Sequence, residues 1–220
     1  MSNRTIARLI AKDFHLNRWF MAGVVVSGLV SLLIASTGRV GFNIGSVSFI
    51  TTLVAFGVIL AMYGCFTERK EKTALFVLSL PLSTAEYVKA KVLGMLTVYL
   101  VPWTILTGGA VVLFLVTPIP DGMVTPTLLL SVFYLAIFCV VVAVTLSTTS
   151  EAVASITIIL TNMSVTFFMF AIFGNSTIAQ DAKSDVVVWS APVLTLLAGE
   201  ALCIALALAL PFLFRKRDYI

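Results

Sequence analysis

The 220-residue sequence is poor in charge. Only 11% of its residues are Asp, Glu, Lys or Arg, less than half of the roughly 25% typical of soluble domains. Sixty per cent are hydrophobic, and they form long blocks separated by short polar patches. About 20 apolar residues in a helix cross a hydrocarbon core of about 30 Å. The composition therefore predicts an all-α, polytopic membrane protein and excludes a soluble globule.

Several chemical motifs are also missing. The sequence has no G-x-x-x-x-G-K-[ST] nucleotide loop, no H-E-x-x-H and no G-x-S-x-G. The sole histidine, His15, has no acidic or cysteine cluster spaced as metal ligands, and Cys65, Cys139 and Cys203 lie in apolar segments without a C-x-x-C. We therefore expect no catalytic residues, no metal site and no cofactor in this chain.

The apolar blocks predict a single transmembrane domain over residues 1–220 with six spans. The spans are placed at about 19–37, 47–66, 92–116, 125–147, 152–173 and 187–213. Residues 1–18 combine apolar residues at helical spacing with basic residues on the other side. They predict an amphipathic helix lying in the headgroup region, although a basic flank that only sets orientation is the simpler alternative.

Basic residues predict the orientation of the spans. Twelve of the fourteen Lys and Arg residues fall in the N-terminal segment, in the loop between spans two and three, or in the C-terminal tail. The opposite side holds only Arg39 and Lys183. Because short cytoplasmic segments are rich in Lys and Arg, both termini are predicted to be cytoplasmic. The net charge of +4 fits this topology and contact with lipid headgroups, so no nucleic-acid partner is expected.

The segment 67–91 is the longest predicted cytoplasmic loop. It opens with five charged residues, Glu68 to Lys72, and continues with a short apolar stretch that ends at Pro81. Ser83 and Glu86 then form an S-x-x-E capping box, which predicts the start of a new helix. A connector needs only about 2–8 residues, and an exposed apolar helix needs cover. The loop therefore either folds back on the spans or docks on a partner protein.

Polar residues inside the spans provide candidates for a translocation path. Glu200 is the only ionisable residue deep in a span, where a charge costs about 2.5–3.5 kcal/mol. It is either a substrate or proton site, or a neutral acid hydrogen-bonded to a neighbouring helix. Span five carries Thr161, Asn162 and other polar residues that should face protein or water. Two roles for these residues remain as alternatives: they line a cavity, or they form hydrogen bonds at an interface between helices. The candidate path residues are Glu200, Asn162 and Thr161.

Small residues and prolines predict how the helices pack. Gly23, Ser27, Ser31 and Ala35 recur every four residues, which predicts a close-packing face within the subunit or across a dimer. The Gly41-x-x-x-Gly45 pattern is expected to lie in a loop. Pro102 in span three and Pro192 in span six are each expected to kink their helix.

The loop resembles the segment after span two in bacterial ABC exporter permeases of the second type. The matching residues are Glu68, Leu75, Leu78, Leu80, Pro81, Ser83, Tyr87, Lys89 and Lys91. The six spans, the inward termini and the lead-in with Lys12 and Asp13 agree with that layout. The short segment before span six departs from it, because many relatives carry re-entrant helices there.

The resemblance implies that this chain is the permease subunit of an exporter for a hydrophobic or amphipathic peptide, drug or lipid in the bacterial cytoplasmic membrane. It implies a homo- or heterodimer of permease subunits in membrane lipid, paired with two copies of a separate ABC ATPase that hold ATP and Mg. Residues 1–18 would be the elbow helix, and the loop would contain the coupling helix. The residues implied in coupling are Glu68, Arg69, Leu75, Leu78, Pro81, Ser83 and Glu86.

A different class of function also fits the same spans. A stand-alone membrane protein, such as a secondary transporter or a membrane-embedded immunity or sensor protein, would need no ATPase. A neighbouring gene for an ATP-binding subunit would favour the exporter, and an intramembrane enzyme is poorly supported because the motifs above are absent.

Overall fold

A computed structural model describes residues 3–64, 84–148 and 150–213 of the protein. The helices are α1 (Asn3–Ala35), α2 (Arg39–Met62), α3 (Thr84–Val116), α4 (Val124–Ser147), α5 (Glu151–Gly174), α6 (Ser176–Asp181) and α7 (Ala191–Leu213), with a 3₁₀ turn at Asp121–Met123. No strand occurs in these ranges. All helices except α6 are long and apolar enough to cross a membrane, which confirms the predicted all-α polytopic class with six spans.

Helix α1 is continuous through the segment that we expected to contain an interfacial helix followed by span one. Its first part includes Leu16 and Trp19, both strongly exposed apolar side chains, and the Arg18 guanidinium lies 5.4 Å from the Trp19 ring centroid. An aromatic ring beside a basic residue is typical of the membrane interface. The basic N-terminal segment and the first span therefore form a single continuous helix, because α1 has no break between them.

Helices α1 and α2 form a closely packed antiparallel pair. They turn at Gly38, whose φ of 116° is a conformation that L side chains rarely adopt. Gly45 of α2 lies against the backbone of Ser31 and Ala35, where an added Cβ would collide with both. The prediction that the Gly41-x-x-x-Gly45 pattern lies in a loop was wrong, because α2 begins at Arg39 and includes both glycines.

The small-residue face of α1 packs within the subunit towards the C-terminal end of the helix. The Ser31 and Ser48 hydroxyls lie 2.9 Å apart, and those of Ser27 and Thr52 lie 3.3 Å apart. Ser31 and Ala35 are buried, whereas Gly23 and Ser27 are exposed. Three of the four predicted residues, Ser27, Ser31 and Ala35, therefore contact α2.

A row of four aromatic rings, in contact one after another, joins α1, α2, α3 and α4. Phe20 lies 5.4 Å from Phe56, Phe56 lies 5.3 Å from Tyr99, and Tyr99 lies 4.0 Å from Phe138, each measured between ring centroids. The last two pairs are nearly parallel. We call this row of rings the aromatic ladder, and it links the four helices of the core. Each aromatic pair contributes about 0.5–1.5 kcal/mol in addition to the free energy of burying its surface.

Pro102 and Pro192 occupy different positions in their helices. Pro102 lies inside α3, which continues through it to Val116, and the neighbouring Trp103 indole donates a 2.8 Å hydrogen bond to the Ser131 carbonyl of α4. The prediction that Pro192 kinks its helix was wrong, because α7 begins at Ala191. Pro192 therefore occupies the first helical turn, where a missing N–H costs no helical hydrogen bond.

Helices α5 and α7 both pack on α4. Phe133 of α4 and Phe168 of α5 stack with centroids 3.9 Å apart, while Cys139 and Ala143 of α4 form a small apolar cluster with Ala207 of α7. The Ser150 side chain caps α5 by accepting from the Val153 N–H at 3.4 Å. Ser150 is therefore the N-cap of α5.

Two short connections lie against each other at the end where α4 and α7 begin. The Gly122 N–H donates to the Ser184 carbonyl at 2.9 Å, and the Thr125 hydroxyl donates to the Val188 carbonyl at 3.0 Å. Asn175 caps the six-residue helix α6 through its Oδ1, and Ile178 of that helix is fully buried. The segment before the last span is therefore a minimal, well-packed helix.

Candidate translocation and coupling site

Most of the predicted coupling residues lie outside the described ranges. These are Glu68, Arg69, Leu75, Leu78, Pro81 and Ser83. Within the described part, α3 begins at Thr84, directly after Ser83, and Glu86 is the acidic residue of its first turn. An acid in the first turn stabilises the positive end of a helix. The docking role of this loop remains a prediction.

Glu200 is buried on the face of α7 that packs against α4. It is 5% exposed and shares that face with Val193, Ala207 and Pro211, the other buried residues of the helix. Neither carboxyl oxygen has a hydrogen-bond partner within the described residues. The interhelical hydrogen bond considered for a neutral acid is therefore not present in this arrangement. A buried polar group without a partner costs about 1–3 kcal/mol.

The polar residues of α5 bond to their own helix. The Thr161 hydroxyl donates to the Thr157 carbonyl at 2.8 Å, the Asn162 amide donates to the Ile158 carbonyl at 2.7 Å, and Ser164 donates to Thr161. These donors therefore need no partner on another helix, because backbone carbonyls three or four residues earlier accept from them. A cavity wall is compatible with this pattern but is not required by it.

The three candidate path residues lie near the middle of their helices. Thr161 and Asn162 are half-buried on α5, and Glu200 is buried on α7. Both helices attach to the core through α4. The structure therefore places the candidates at similar depth on two helices at the periphery, with Glu200 directed towards α4.

A cavity of about 780 Å³ lies where α1, α2 and α3 converge near Gly64. Its lining includes Asp13 and Asn17 of α1 and Lys91 of α3. Lys91 is only 7% exposed, and a Cβ added at Gly94 would lie 2.8 Å from the Asp13 carboxylate. In the sequence, Asp13 and Lys91 match the family layout, and Lys91 is one of the basic residues that predict the orientation, but neither indicates this cavity. A glycine three residues after a lysine in an apolar helix was the available signal for this close approach.

Tyr134 and Thr107 are further buried polar groups that sequence reasoning missed. Their hydroxyl oxygens have no hydrogen-bond partner within the described residues, and both side chains are 5% exposed or less. Nothing in the sequence distinguishes them, because tyrosine and threonine are common in membrane helices. Their burial follows from the central position of α4 and α3.

Comparison with known families decides the class of the protein. A family model described as ABC-2 family transporter protein matches residues 8–213. The chain belongs to this family. No curated protein and no solved structure matches it. The family match confirms the resemblance to ABC permeases of the second type. An ABC-2 family protein is a membrane transport subunit, and the family implies an ABC ATPase as partner.

Proposed function

We propose that this ABC-2 family chain is the membrane subunit of an ATP-driven exporter in the bacterial cytoplasmic membrane. In this proposal it moves a hydrophobic or amphipathic peptide, drug or lipid outward, and both termini are cytoplasmic. The observation that carries the proposal is the family match over residues 8–213, together with six helices of spanning length. ATP and Mg would be held by the separate ATPase.

The proposed assembly contains two permease subunits and two ATPase subunits. Helix α5 supports the need for a second permease, because it is the least buried of the spanning helices. Its attachment to the core runs through one face, on which Ala154, Val165 and Ile172 are buried. A second copy or a related subunit would cover the open side of α5, and the half-buried Thr161 and Asn162, which lie on or beside the face that packs on α4, would be at the edge of the path. Glu200 would join that path when α7 moves relative to α4.

Coupling is proposed to run through the segment 67–83 into α3. Because α3 begins at Thr84 and carries the core residues Tyr99 and Trp103, a displacement of its first turn would reach the aromatic ladder and α4. ATP binding can shift the spans only through contacts that differ between the two states. The loop is the proposed place of those contacts.

Co-purification with the ATPase tests the proposal. We expect the wild-type chain to co-purify with an ABC ATPase encoded beside it and to stimulate ATP hydrolysis. Leu75→Asp or Leu78→Asp should weaken the association by roughly thirtyfold or more, the loss expected for a central apolar anchor that contributes at least about 2 kcal/mol. Leu78→Met, which keeps an apolar side chain, is the matched control and should retain binding.

Two results would contradict the proposal. Full association of both Asp variants would remove the coupling role of the loop. Transport by the purified chain alone in liposomes, without ATP, would support the stand-alone transporter instead.

A further inference from the structure

The cavity of about 780 Å³ near Gly64 adjoins a groove between α1 and α2. The groove has a volume of about 620 Å³, and Phe20 and Ile59 line both spaces. From these two residues the groove runs along α1 to Ser27 and along α2 to Ser48. Because α1 and α2 are antiparallel, both helices lead away from the cavity in the same direction. The cavity and the groove therefore form one elongated space along the helix axes.

Charged groups line only one end of this space. Asp13 of α1 and Lys91 of α3 line the cavity, whereas none of the described residues that line the groove is charged. Lys91 is 7% exposed, and a Cβ added at Gly94, one helical turn after it, would lie 2.8 Å from the Asp13 carboxylate. A carboxylate and an ammonium group therefore lie at the same level of the bundle. An occupant that complements both is an amphiphile whose polar end carries charges of both signs.

Small side chains give the groove its depth. Gly23, Ser27, Thr51 and Ala55 line it and are exposed, whereas Phe56 lines it and is 1% exposed. A Cβ added at Gly23 would meet no described atom within 4 Å. The groove is therefore open towards the bilayer, and a hydrocarbon chain can enter it from the side.

The hydroxyl groups of the groove already have hydrogen-bond partners. The Ser27 and Thr52 hydroxyls lie 3.3 Å apart, and the Ser48 and Ser31 hydroxyls lie 2.9 Å apart. The Thr51 hydroxyl donates to a carbonyl of its own helix at 2.8 Å. Because these groups are satisfied within the protein, the groove requires no polar group from its occupant and can accept an acyl chain.

The length of the space matches one leaflet of a bilayer. Asp13 and Ser27 are 14 residues apart on α1, which corresponds to about 21 Å at 1.5 Å per residue. Half of a bilayer, headgroups included, is about 20–22 Å thick. Trp19, which lies between them on α1, is 76% exposed, as is typical of the membrane interface. The charged end therefore lies at the level of the headgroups, and the groove lies beside the acyl chains.

We propose that this space binds one phospholipid with a zwitterionic headgroup, of which phosphatidylethanolamine is the simplest case. The phosphate lies beside Lys91, the headgroup ammonium donates to the Asp13 carboxylate, and one acyl chain lies in the groove between α1 and α2. An anionic headgroup fits less well, because it has no cation to pair with Asp13 and the carboxylate repels it. The site is formed within one subunit, and its existence does not depend on the exporter role or on an ATPase.

Native mass spectrometry of the full-length protein tests the site. The protein is reconstituted in liposomes with equal amounts of phosphatidylethanolamine and phosphatidylglycerol, extracted in a mild detergent, and analysed for the lipids that stay bound. The wild-type protein should retain phosphatidylethanolamine about fivefold more often than phosphatidylglycerol, a preference that corresponds to about 1 kcal/mol.

Filling the groove tests the position of the acyl chain. Gly23→Phe places a ring in the open part of the groove and should lower the fraction of protein with bound lipid about fivefold or more. Gly199→Phe is the matched control and should retain the lipid, because Gly199 is an exposed glycine of α7 at which an added Cβ also meets no described atom within 4 Å. If Gly23→Phe does not yield folded, monodisperse protein, Gly23→Leu replaces it.

Removing the carboxylate tests the selection of the headgroup. Asp13→Asn should lower the preference for phosphatidylethanolamine over phosphatidylglycerol about fivefold, to near parity, while the total amount of bound lipid stays similar. A purely structural role of Asp13 would instead lower the binding of both lipids alike. Asp185→Asn makes the same change at an exposed position outside both linings and should keep the preference.

Three results would overturn the proposal. Equal lipid retention by the Gly23→Phe variant and the wild type would place the bound lipid elsewhere. Equal retention of the two lipids by the wild type would remove the selection by Asp13 and Lys91. A lipid-free dimer that Gly23→Phe converts to a monomer would show that a second copy of the chain fills the groove instead.

Discussion

Helices α4 and α5 follow one another in the chain, have 24 residues each, and are both strongly apolar. Yet fifteen residues of α4 are buried, against three of α5. Helix α4 contacts α2, α3, α5 and α7, whereas α5 packs mainly on α4. In a bilayer, lipid tails are as apolar as a neighbouring helix, so hydropathy marks both helices as spans without marking either as central.

The difference divides the bundle into two regions. The aromatic core consists of α1 to α4 and is joined by the ladder Phe20, Phe56, Tyr99 and Phe138. The outer pair consists of α5 and α7. Each of these helices buries a few residues and packs mainly on α4. A transporter must change the relative positions of some helices. The outer pair is better suited to this movement because fewer packed side chains hold it.

Removing a ring of the aromatic ladder should cause the largest loss of stability, much larger than the same change in the outer pair. Phe56→Ala should lower the free energy of unfolding by about 3–5 kcal/mol, because it removes a 1% exposed ring and its stacking on Tyr99. Phe170→Ala, at a 72% exposed position of α5, is the control and should change it by less than about 0.5 kcal/mol. Unfolding titrations in mixed micelles measure both. Equal losses would show that α5 is as tightly packed as the core.

Replacing Glu200 tests the packing of α7 against α4, and it should change the free energy of unfolding by an intermediate amount. Glu200→Leu should raise the free energy of unfolding by about 1–3 kcal/mol, because it replaces two buried oxygens that have no partner with an apolar side chain. Ala201→Leu, at an exposed position of the same helix, is the control and should have little effect.

Transport by the same Glu200 variants separates a structural role from a functional one. Glu200→Gln and Glu200→Leu should both lose transport in reconstituted vesicles, although the Leu variant is more stable. Lower stability of Glu200→Leu would show that the carboxyl has a partner in the assembled protein. Full transport by both variants would remove Glu200 from the path.

The number of spans and the short connections between α3 and α4 and before α7 could be predicted from the sequence, because both depend on the lengths of apolar and polar segments alone. The start of α2 could not, since Arg39 reads as a loop charge although it is the first helical residue. The surface that the polar residues of α5 face could not be predicted either. Thr161 and Asn162 bond to carbonyls of their own helix, so polarity there does not reveal which surface the helix faces.

Of the candidate site, the sequence identified Glu200 as an isolated acid but not the direction in which it points. Its burial against α4 depends on the face that Val193 and Ala207 share with it, and seven-residue spacing among apolar residues is not distinctive in an apolar helix. Tyr134 was not identified because the burial of its hydroxyl depends on how the helices pack around α4.

The smallest effect comes from the polar contact between α1 and α2. The Ser31 and Ser48 hydroxyls lie 2.9 Å apart, and Ser31 also donates to the Ser27 carbonyl of its own helix. A double-mutant cycle with Ser31→Ala and Ser48→Ala should give a coupling of about 0.6 kcal/mol, the average for hydrogen bonds between membrane helices. The Ser27 and Thr52 pair, at 3.3 Å and more exposed, is the matched comparison and should give less. A coupling above about 2 kcal/mol would show that hydroxyl pairing holds these helices together, whereas the predicted value assigns that role to the close backbone contact at Gly45.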